Sequence, residues 1–466
     1  MHDRTHPLRI AVVGHTNTGK TSLMRTLTRD TGFGEVSSRP STTRHVEGAR
    51  LIVDGEVLVE LYDTPGMEDP IALLERLEAI EAPDGERLDG PARVERFLED
   101  PVCRARFEQE GKVLRQMLAS DAALYVIDAR DPVLAKHRDE LEILGGCAVP
   151  LLPVLNFASS AASAETEWRE ALSRLGLHAV VRFDTVAPER DGERRLYQTL
   201  AMLLEFHRPL LDRLVAGRER EAAARHTAAM RLVAELLVDV AACRIEVRED
   251  SASALEAAVD DLNERVRRRE QHCVEALLSL YRFRSDDVDA DQLPLIDGRW
   301  EDDLFNPETL RDMGVKLGTG AVAGAAAGAG IDLMVGGITL GAAAVLGALA
   351  GGGWQALRHF GDRLLGTFTG KRQLAVNDAI LRMLALRQLH LVRALEARGH
   401  AAVEPIAKFV TESGKWREGT LPQPLRRARS HREWSGLLGT VGDETGRSEA
   451  IETLRELMES EPERGT

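Results

Sequence analysis

Hydrophobic and polar positions alternate between two rhythms along this chain, and the change from one to the other divides it. The first 205 or so residues carry short apolar runs of strand length. Leu8 to Val13 and Ala122 to Asp128 are almost wholly apolar, as is Val149 to Asn156, and they predict buried parallel strands. Val46 to Val53 and Glu56 to Tyr62 alternate instead, joined by Asp54-Gly55, which predicts an antiparallel hairpin. A further strand is expected at Ala179 to Phe183. Between Met67 and about Ser120 the pattern turns helical, in runs such as Ala72 to Leu77 and Val113 to Leu118. Such an insert is either a surface for a partner or a packed helical addition.

Beyond residue 205 the helical period takes over. Leu255, Val259, Leu262 and Val266 recur every three or four residues, the stripe of a packed helix. A second helix is expected from about Gln373 to Glu396, with Val376, Ile380, Met383 and Leu384 along one face. Between them lies a Gly/Ala-rich block, Gly314 to Gly353, in which Gly320, Gly324 and Gly328 are spaced by four, as are Gly337 and Gly341. That spacing puts small residues on one helix face and reads as a glycine zipper. Leu333 to Leu357 carries no charged residue and is long enough to span a bilayer, although its glycines make a poor isolated helix. Asp332 divides the block, which predicts a helical hairpin turning near Asp332 to Gly337, either buried in the protein or associated with a membrane. The tail from about residue 401 combines basic and aromatic residues, Lys415-Trp416-Arg417 and Arg426 to Trp434, as a lipid or nucleic-acid contact does and as a solvated face does too.

The expected organisation is thus an α/β domain over 1–205 with its insert at 67–120, a helical domain over 206–400 containing the hairpin at 314–353, and a tail over 401–466. With 466 residues, 44% of them hydrophobic, the chain has ample material for such cores. The net charge of -15 argues against nucleic acid as a partner. Cys103, Cys147, Cys243 and Cys273 are too scattered for a zinc site or a disulfide framework and read as buried thiols of a reducing compartment. The N-terminus lacks the apolar core of a signal peptide, so the expected location is the cytoplasm, with peripheral attachment to or insertion in the inner membrane as the extension that 314–357 suggests.

The chemistry is concentrated after the first strand. Gly14-His15-Thr16-Asn17-Thr18-Gly19-Lys20-Thr21 fits G-x-x-x-x-G-K-[ST], followed by Ser22 and a helical run. The glycines allow a tight turn whose N–H groups and helix dipole face phosphate oxygens, Lys20 reaches the β- and γ-phosphates, and the Thr21 hydroxyl suits Mg²⁺, a hard cation that prefers oxygen. The second hairpin strand runs into Asp63-Thr64-Pro65-Gly66, where a carboxylate can hold Mg²⁺ and the Gly66 N–H can meet a γ-phosphate.

Phosphate loop, Arg39-Pro40-Ser41-Thr42-Thr43-Arg44, hairpin and Asp-Thr-Pro-Gly together resemble the TrmE, Era and EngA group of bacterial GTPases, over about the first 200 residues. The resemblance implies a Ras-like P-loop G domain with a mostly parallel sheet, here followed by an all-α half. It implies GTP as the ligand and Mg²⁺ as its cofactor. Thr43, or less directly Thr42, corresponds to the threonine that joins the Mg²⁺ when the γ-phosphate is present. Asn17 is similar to the asparagine with which members of that group hold K⁺ beside the phosphates. Met67 stands where other GTPases have a water-positioning glutamine, a role a thioether cannot fill. Glu68 and Asp69 are then either substitutes or an acidic pair at a helix N-terminus. Asn156 opens the segment in which the group carries N-K-x-D, but Phe157, Ala158 and Ser159 follow it, so the carboxylate that reads guanine is missing. Phe157 can stack on the base, and Asp184 is either a replacement carboxylate or a loop residue.

The order of parts further resembles GTPases whose C-terminal half is the domain of unknown function 3482, a likeness over the whole chain. Two functions follow. The first is a switch that hydrolyses GTP, with Lys20, Thr43 and Gly66 in catalysis, and Thr21, Thr43 and Asp63 as metal ligands. Gly14, Asn17, Thr18, Gly19, Lys20, Thr21, Ser22 and Asn156 would hold the nucleotide, and the helical half would couple its state to a membrane or protein partner. The second is a non-hydrolysing nucleotide-binding scaffold at a membrane, with relaxed base specificity.

Overall fold

The computed structural model describes residues 6–28, 46–81, 88–158, 160, 163–185, 191–247, 252–281, 295, 300, 303–305, 331–335, 338–341, 372–396, 416, 420–439 and 441–460. The chain divides into two compact units, the first over Met1–Ala222 and the second built from Ala223–Glu396 with Ala402–Thr466.

In the first unit β1 (Leu8–Val13) leads into α1 (Lys20–Thr28), followed by β2 (Glu47–Val53) and β3 (Glu56–Asp63). The insert consists of α2 (Pro70–Glu78), α3 (Gly90–Glu99), α4 (Pro101–Arg106) and α5 (Glu108–Leu118). Then come β4 (Ala122–Asp128), α6 (Ala135–Gly146), β5 (Leu151–Asn156), α7 (Glu165–Arg174), the short β6 (Val181–Arg182), α8 (Gly192–Leu203) and the long α9 (Arg208–Ala242), within which the boundary between the units falls. The sheet order is β2-β3-β1-β4-β5-β6, parallel except for the β2–β3 hairpin. Asp54 and Gly55 both take positive φ, 52° and 80°, the conformation a two-residue hairpin of matching twist demands.

Alternate residues of β1 feed two cores. Leu8, Ile10 and Val12 pack with Leu23 and Leu27 of α1, Leu196 and Leu200 of α8 and Leu211 and Leu214 of α9. Ala11 and Val13 face the other layer, with Leu73 of α2, Phe97 of α3, Leu114 of α5, Leu144 of α6 and Trp168 of α7. Burial on both faces explains why β1, β4 and β5 are almost wholly apolar rather than alternating, Arg9 being the exposed exception in β1. The insert is thus a packed part of one layer. Parallel pairing sets Val12 beside Asp63 and beside Leu124, and Asp128 beside Asn156, so the carboxyl ends of β3, β1, β4 and β5 lie side by side. In open α/β sheets that edge is where ligands bind.

The second unit is the helical half expected, and it also carries a small sheet that the periodicity did not announce. Its elements are the end of α9, β7 (Ile245–Val247), α10 (Ala252–Leu280), β8 (Ile331–Val335), β9 (Ile338–Gly341), β10 (Arg372–Val376), α11 (Asp378–Glu396), α12 (Gln423–Ala428) and α13 (Glu444–Glu459). The strands are ordered β7-β10-β8-β9, all antiparallel. The core joins Val233 and Leu237, Leu262 and Val266, Leu384 and Leu391, Trp434 and Ile451. Leu255 and Val259, the remaining members of the predicted α10 stripe, are buried in it too.

Two expectations need correction here. The chain does turn near Asp332 to Gly337, but between strands rather than helices: Ile331, Leu333, Val335, Ile338 and Leu340 alternate around Gly336-Gly337, a strand pattern that outweighs the glycine spacing. The uncharged stretch from Leu333 is therefore not one continuous helix. The remainder of 314–353 lies outside the described residues, and among the described residues no helix is long and apolar enough to cross a membrane. Second, the helix expected from Gln373 begins at Asp378, because 372–376 pair with β7 and β8 and Asn377 Oδ1 accepts from the Ile380 N–H as a cap. The tail's tryptophans belong to the core, while Arg426, Arg427 and Arg432 stay exposed and two of them carry surface ion pairs. Trp416 and Trp434 are buried, Arg427 pairs with Glu449, Arg429 with Asp378 and Arg432 with Glu246. All four cysteines are buried free thiols.

Candidate nucleotide site

At the end of β1 the chain makes a turn that only these residue types allow. Gly14 takes φ +140°, and a Cβ there would run into the Val126 carbonyl of β4. Asn17 and Gly19 also take positive φ, 63° and 89°, after which α1 begins at Lys20. Asn17 is exposed at the loop's apex, Thr18 Oγ1 donates to the His15 carbonyl at 3.1 Å, and Ser22 lies in the first turn of α1. Lys20 is only 7% exposed, and its Nζ donates to the carbonyls of Gly14 (3.1 Å) and His15 (2.7 Å). Burial pulls its pKa down, while the carboxylates of Asp63 and Glu140 oppose the shift. The ammonium is thus held among the turns of a loop whose N–H groups open to the helix N-terminus.

Register brings the Asp63-Thr64-Pro65-Gly66 segment against this loop. Thr21 Oγ1 donates to Asp63 Oδ2 at 2.6 Å, and Asp63 Oδ1 is buried without a hydrogen-bond partner. Burial raises the Asp63 pKa, and the Thr21 hydroxyl and Lys20 pull it back. Thr64 is anchored through its Oγ1 to the Val12 carbonyl at 2.8 Å. A Cβ on Gly66 would meet the Thr16 backbone nitrogen at 2.7 Å, so glycine is needed for so close an approach. Met67 is 2% exposed and packs into the core. Asp69 caps α2, its Oδ1 accepting from the Ala72 N–H at 3.1 Å. The N–H groups of Glu68 and Asp69 both donate to the buried Glu110 of α5, so the insert anchors the chain just after Gly66. Thr42 and Thr43 lie outside the described residues.

On the other side of the loop Asn156 is fully buried and bonded through both ends of its amide. Its Nδ2 donates to the Thr18 carbonyl (2.9 Å), and its Oδ1 accepts from the N–H groups of Phe157 (3.0 Å) and Thr185 (2.9 Å) and from Thr185 Oγ1 (3.1 Å). It ties the phosphate loop to the ends of β5 and β6. Asp184 is buried within electrostatic reach of Arg130, whose pKa is held up chiefly by its bonds to Asp128. Ser159 is outside the described residues.

A polar network that sequence reading missed lies under the loop. His15 Nδ1 is 2.7 Å from Glu140 Oε1, Lys136 Nζ is 2.7 Å from His15 Nε2, and Tyr125 OH donates to Glu140 Oε2 at 2.7 Å. A lysine ammonium only donates, so Nε2 accepts and Nδ1–H donates to Glu140, which assigns a neutral imidazole. Burial and Glu140 together raise the Tyr125 pKa well above its ordinary value. Glu140 sits on α6 among charged neighbours and looks like part of a solvated face. Only the fold brings it beneath His15.

Two family descriptions match the chain. One, Domain of unknown function (DUF3482), matches residues 169–456, and the other, 50S ribosome-binding GTPase, matches residues 9–156. GTPase Der of Mesorhizobium japonicum is 29% identical over 222 residues, which are 47% of this chain and 44% of that protein. The chain thus spans less than half the length of that curated relative. Among solved structures, Aquifex aeolicus Era bound to GDP and AlF4⁻ shares 18% identity over 42% of this chain and 56% of that one, with a TM-score of 0.30. Era in complex with MgGDPNP and a segment of 16S ribosomal RNA shares 16% over 42% and 57%, at 0.31. The FeoB G domain of T. maritima shares 20% over 43% and 99%, at 0.25.

Proposed function

We propose that this chain, which belongs to the DUF3482 family, works as a Mg²⁺-dependent GTPase switch. Its residues 9–156 match a GTPase domain, and the group with Der- and Era-like relatives is a bacterial one. The observation that carries the reading is the pairing of Thr21 with Asp63 at 2.6 Å beside a buried Lys20, with Asp63 Oδ1 left partnerless. An all-oxygen donor set with an orphaned carboxylate oxygen suits a hard divalent cation. Thr21 and Asp63 would hold Mg²⁺, which neutralises charge between the β- and γ-phosphates when bound.

The chain's own residues do the rest. Lys20 exchanges its two carbonyl partners for phosphate oxygens, and the N–H groups from Gly14 to Thr21 surround them. Gly66, pressed against Thr16, offers its N–H to a γ-phosphate without a side chain in the way. Thr43 would complete the cation's ligands, and Asn17, exposed in the loop, would hold K⁺, supplying the charge that other GTPases take from an arginine. The G domain covers 1–205, and gain or loss of the γ-phosphate moves the helical half, which contacts a protein or, through 314–357, a membrane. Met67 lies in the core, so the attacking water is oriented by some other group.

The test is turnover of GTP and ATP by the full chain with Mg²⁺, in K⁺ and in Na⁺. We expect GTP hydrolysis that is faster in K⁺ and is abolished by EDTA. No turnover of either nucleotide under any of these conditions would favour the non-hydrolysing scaffold.

A further inference from the structure

Phe157 occupies the place where the N-K-x-D pattern has lysine, and three observations make it more than a filler. Its backbone takes φ +56°, a conformation costly for a bulky residue and usually kept where a site demands it. The Arg130 guanidinium lies over its ring, 4.0 Å from the centroid. The ring tip reaches the phosphate loop, since a Cβ on Gly19 would stand 3.5 Å from Phe157 Cζ. Arg130 is itself fixed, with Nε and Nη2 on the two Asp128 oxygens at 2.9 and 2.6 Å, a fork on a carboxylate. Asp128 and Asn156 are register partners at the ends of β4 and β5. The phenyl ring is therefore held on one face by an immobilised cation at the carboxyl edge of the sheet, next to the loop that takes the phosphates.

We infer that Phe157 is the platform on which the nucleotide's purine stacks, with Arg130, clamped by Asp128, as its positioning residue, so that the base is recognised by its face rather than by its amino edge. The inference rests on the nucleotide reading above and deepens it. Stacking is indifferent to the pattern of donors on a base, because each base has a π face. In the usual arrangement an aspartate accepts from the guanine N1–H and 2-amino groups, and a nucleotide lacking the amino group binds worse. The position for that aspartate is Ser159 in this chain. Hypoxanthine, which is guanine without the 2-amino group, should then bind as guanine does.

The experiment is equilibrium displacement of a fluorescent ribose-labelled GDP from the full chain by GDP and IDP, with Mg²⁺. We expect the two to bind within about threefold of each other. Phe157→Ala should weaken both about tenfold or more and by the same factor, while Phe157→Trp should restore affinity and add a nucleotide-dependent quench beyond any that wild type, with its five tryptophans, shows in parallel. Arg130→Ala in the Phe157→Trp background should reduce the quench at saturating nucleotide, which a purely structural role would leave unchanged. Binding of GDP at least tenfold tighter than IDP, with the gap removed by Asp184→Asn, would overturn the inference in favour of edge reading by Asp184. Unchanged affinity of a folded Phe157→Ala would overturn it as well. Neither result touches the nucleotide reading, which fails only if no nucleotide displaces the label and the label itself does not bind.

Discussion

Lys20→Ala is expected to cut GTP turnover by at least about a hundredfold and to weaken triphosphate binding more than diphosphate binding. Removing one preorganised donor from developing charge costs on the order of 10²–10³ in rate. Lys20 is also a buried cation whose proton affinity is already lowered by desolvation. In the free protein it satisfies itself on two carbonyls, at 3.1 and 2.7 Å, so its loss removes two hydrogen bonds and a desolvation cost together. Thermal unfolding of the free protein should therefore shift little while activity collapses. Lys20→Arg should not rescue it, because the broad planar guanidinium replaces a compact ammonium in a pocket bounded by the Gly14 and His15 carbonyls. Phosphate release and a melting curve on the same preparations check both halves. A variant that keeps near-native turnover would remove Lys20 from the chemistry.

Glu140→Ala should destabilise the first unit by about 3 kcal/mol. The side chain is 1% exposed and accepts from His15 and Tyr125 at 2.7 Å each. Its removal strands the buried Tyr125 hydroxyl, at about 1–3 kcal/mol, and the half-buried His15 N–H at less, and leaves Lys136 on an unanchored imidazole. In a unit of this size that is a fall in Tm of roughly 6–12 °C. Glu140→Gln keeps one acceptor and should lose less. Since the His15 carbonyl also receives Lys20 and Thr18, nucleotide affinity should fall with stability in the alanine variant. Calorimetric melting of both variants decides it, and an unchanged Tm in Glu140→Ala would mean the network contributes nothing to holding the loop.

Much of the first unit is legible in the sequence because its signals are local. The phosphate loop, the Asp54-Gly55 turn and the apolar β1, β4 and β5 each lie within one short segment, and Asp63 lands beside Val12 through plain parallel register. What stays hidden is long-range. His15 meets Glu140 across 125 positions, and Arg130 meets Phe157 only because β4 and β5 end at the same level. In the second unit two local signals competed over 331–341, glycines spaced by four against β-branched alternation around Gly-Gly. Pairing with β10 decides for strands, which no reading of the segment by itself supplies. Likewise the arginines of the tail look free until their carboxylate partners arrive from elsewhere in the unit.

The central claim is that Lys20, Thr21 and Asp63 form one Mg²⁺-nucleotide site, and equilibrium titration of the full chain with a fluorescent non-hydrolysable GTP analogue, with and without Mg²⁺, tests it most directly. Saturable binding that tightens at least tenfold with Mg²⁺, and loses that gain in Asp63→Ala, is the predicted result. Binding indifferent to both Mg²⁺ and Asp63, or none at millimolar analogue, would contradict it.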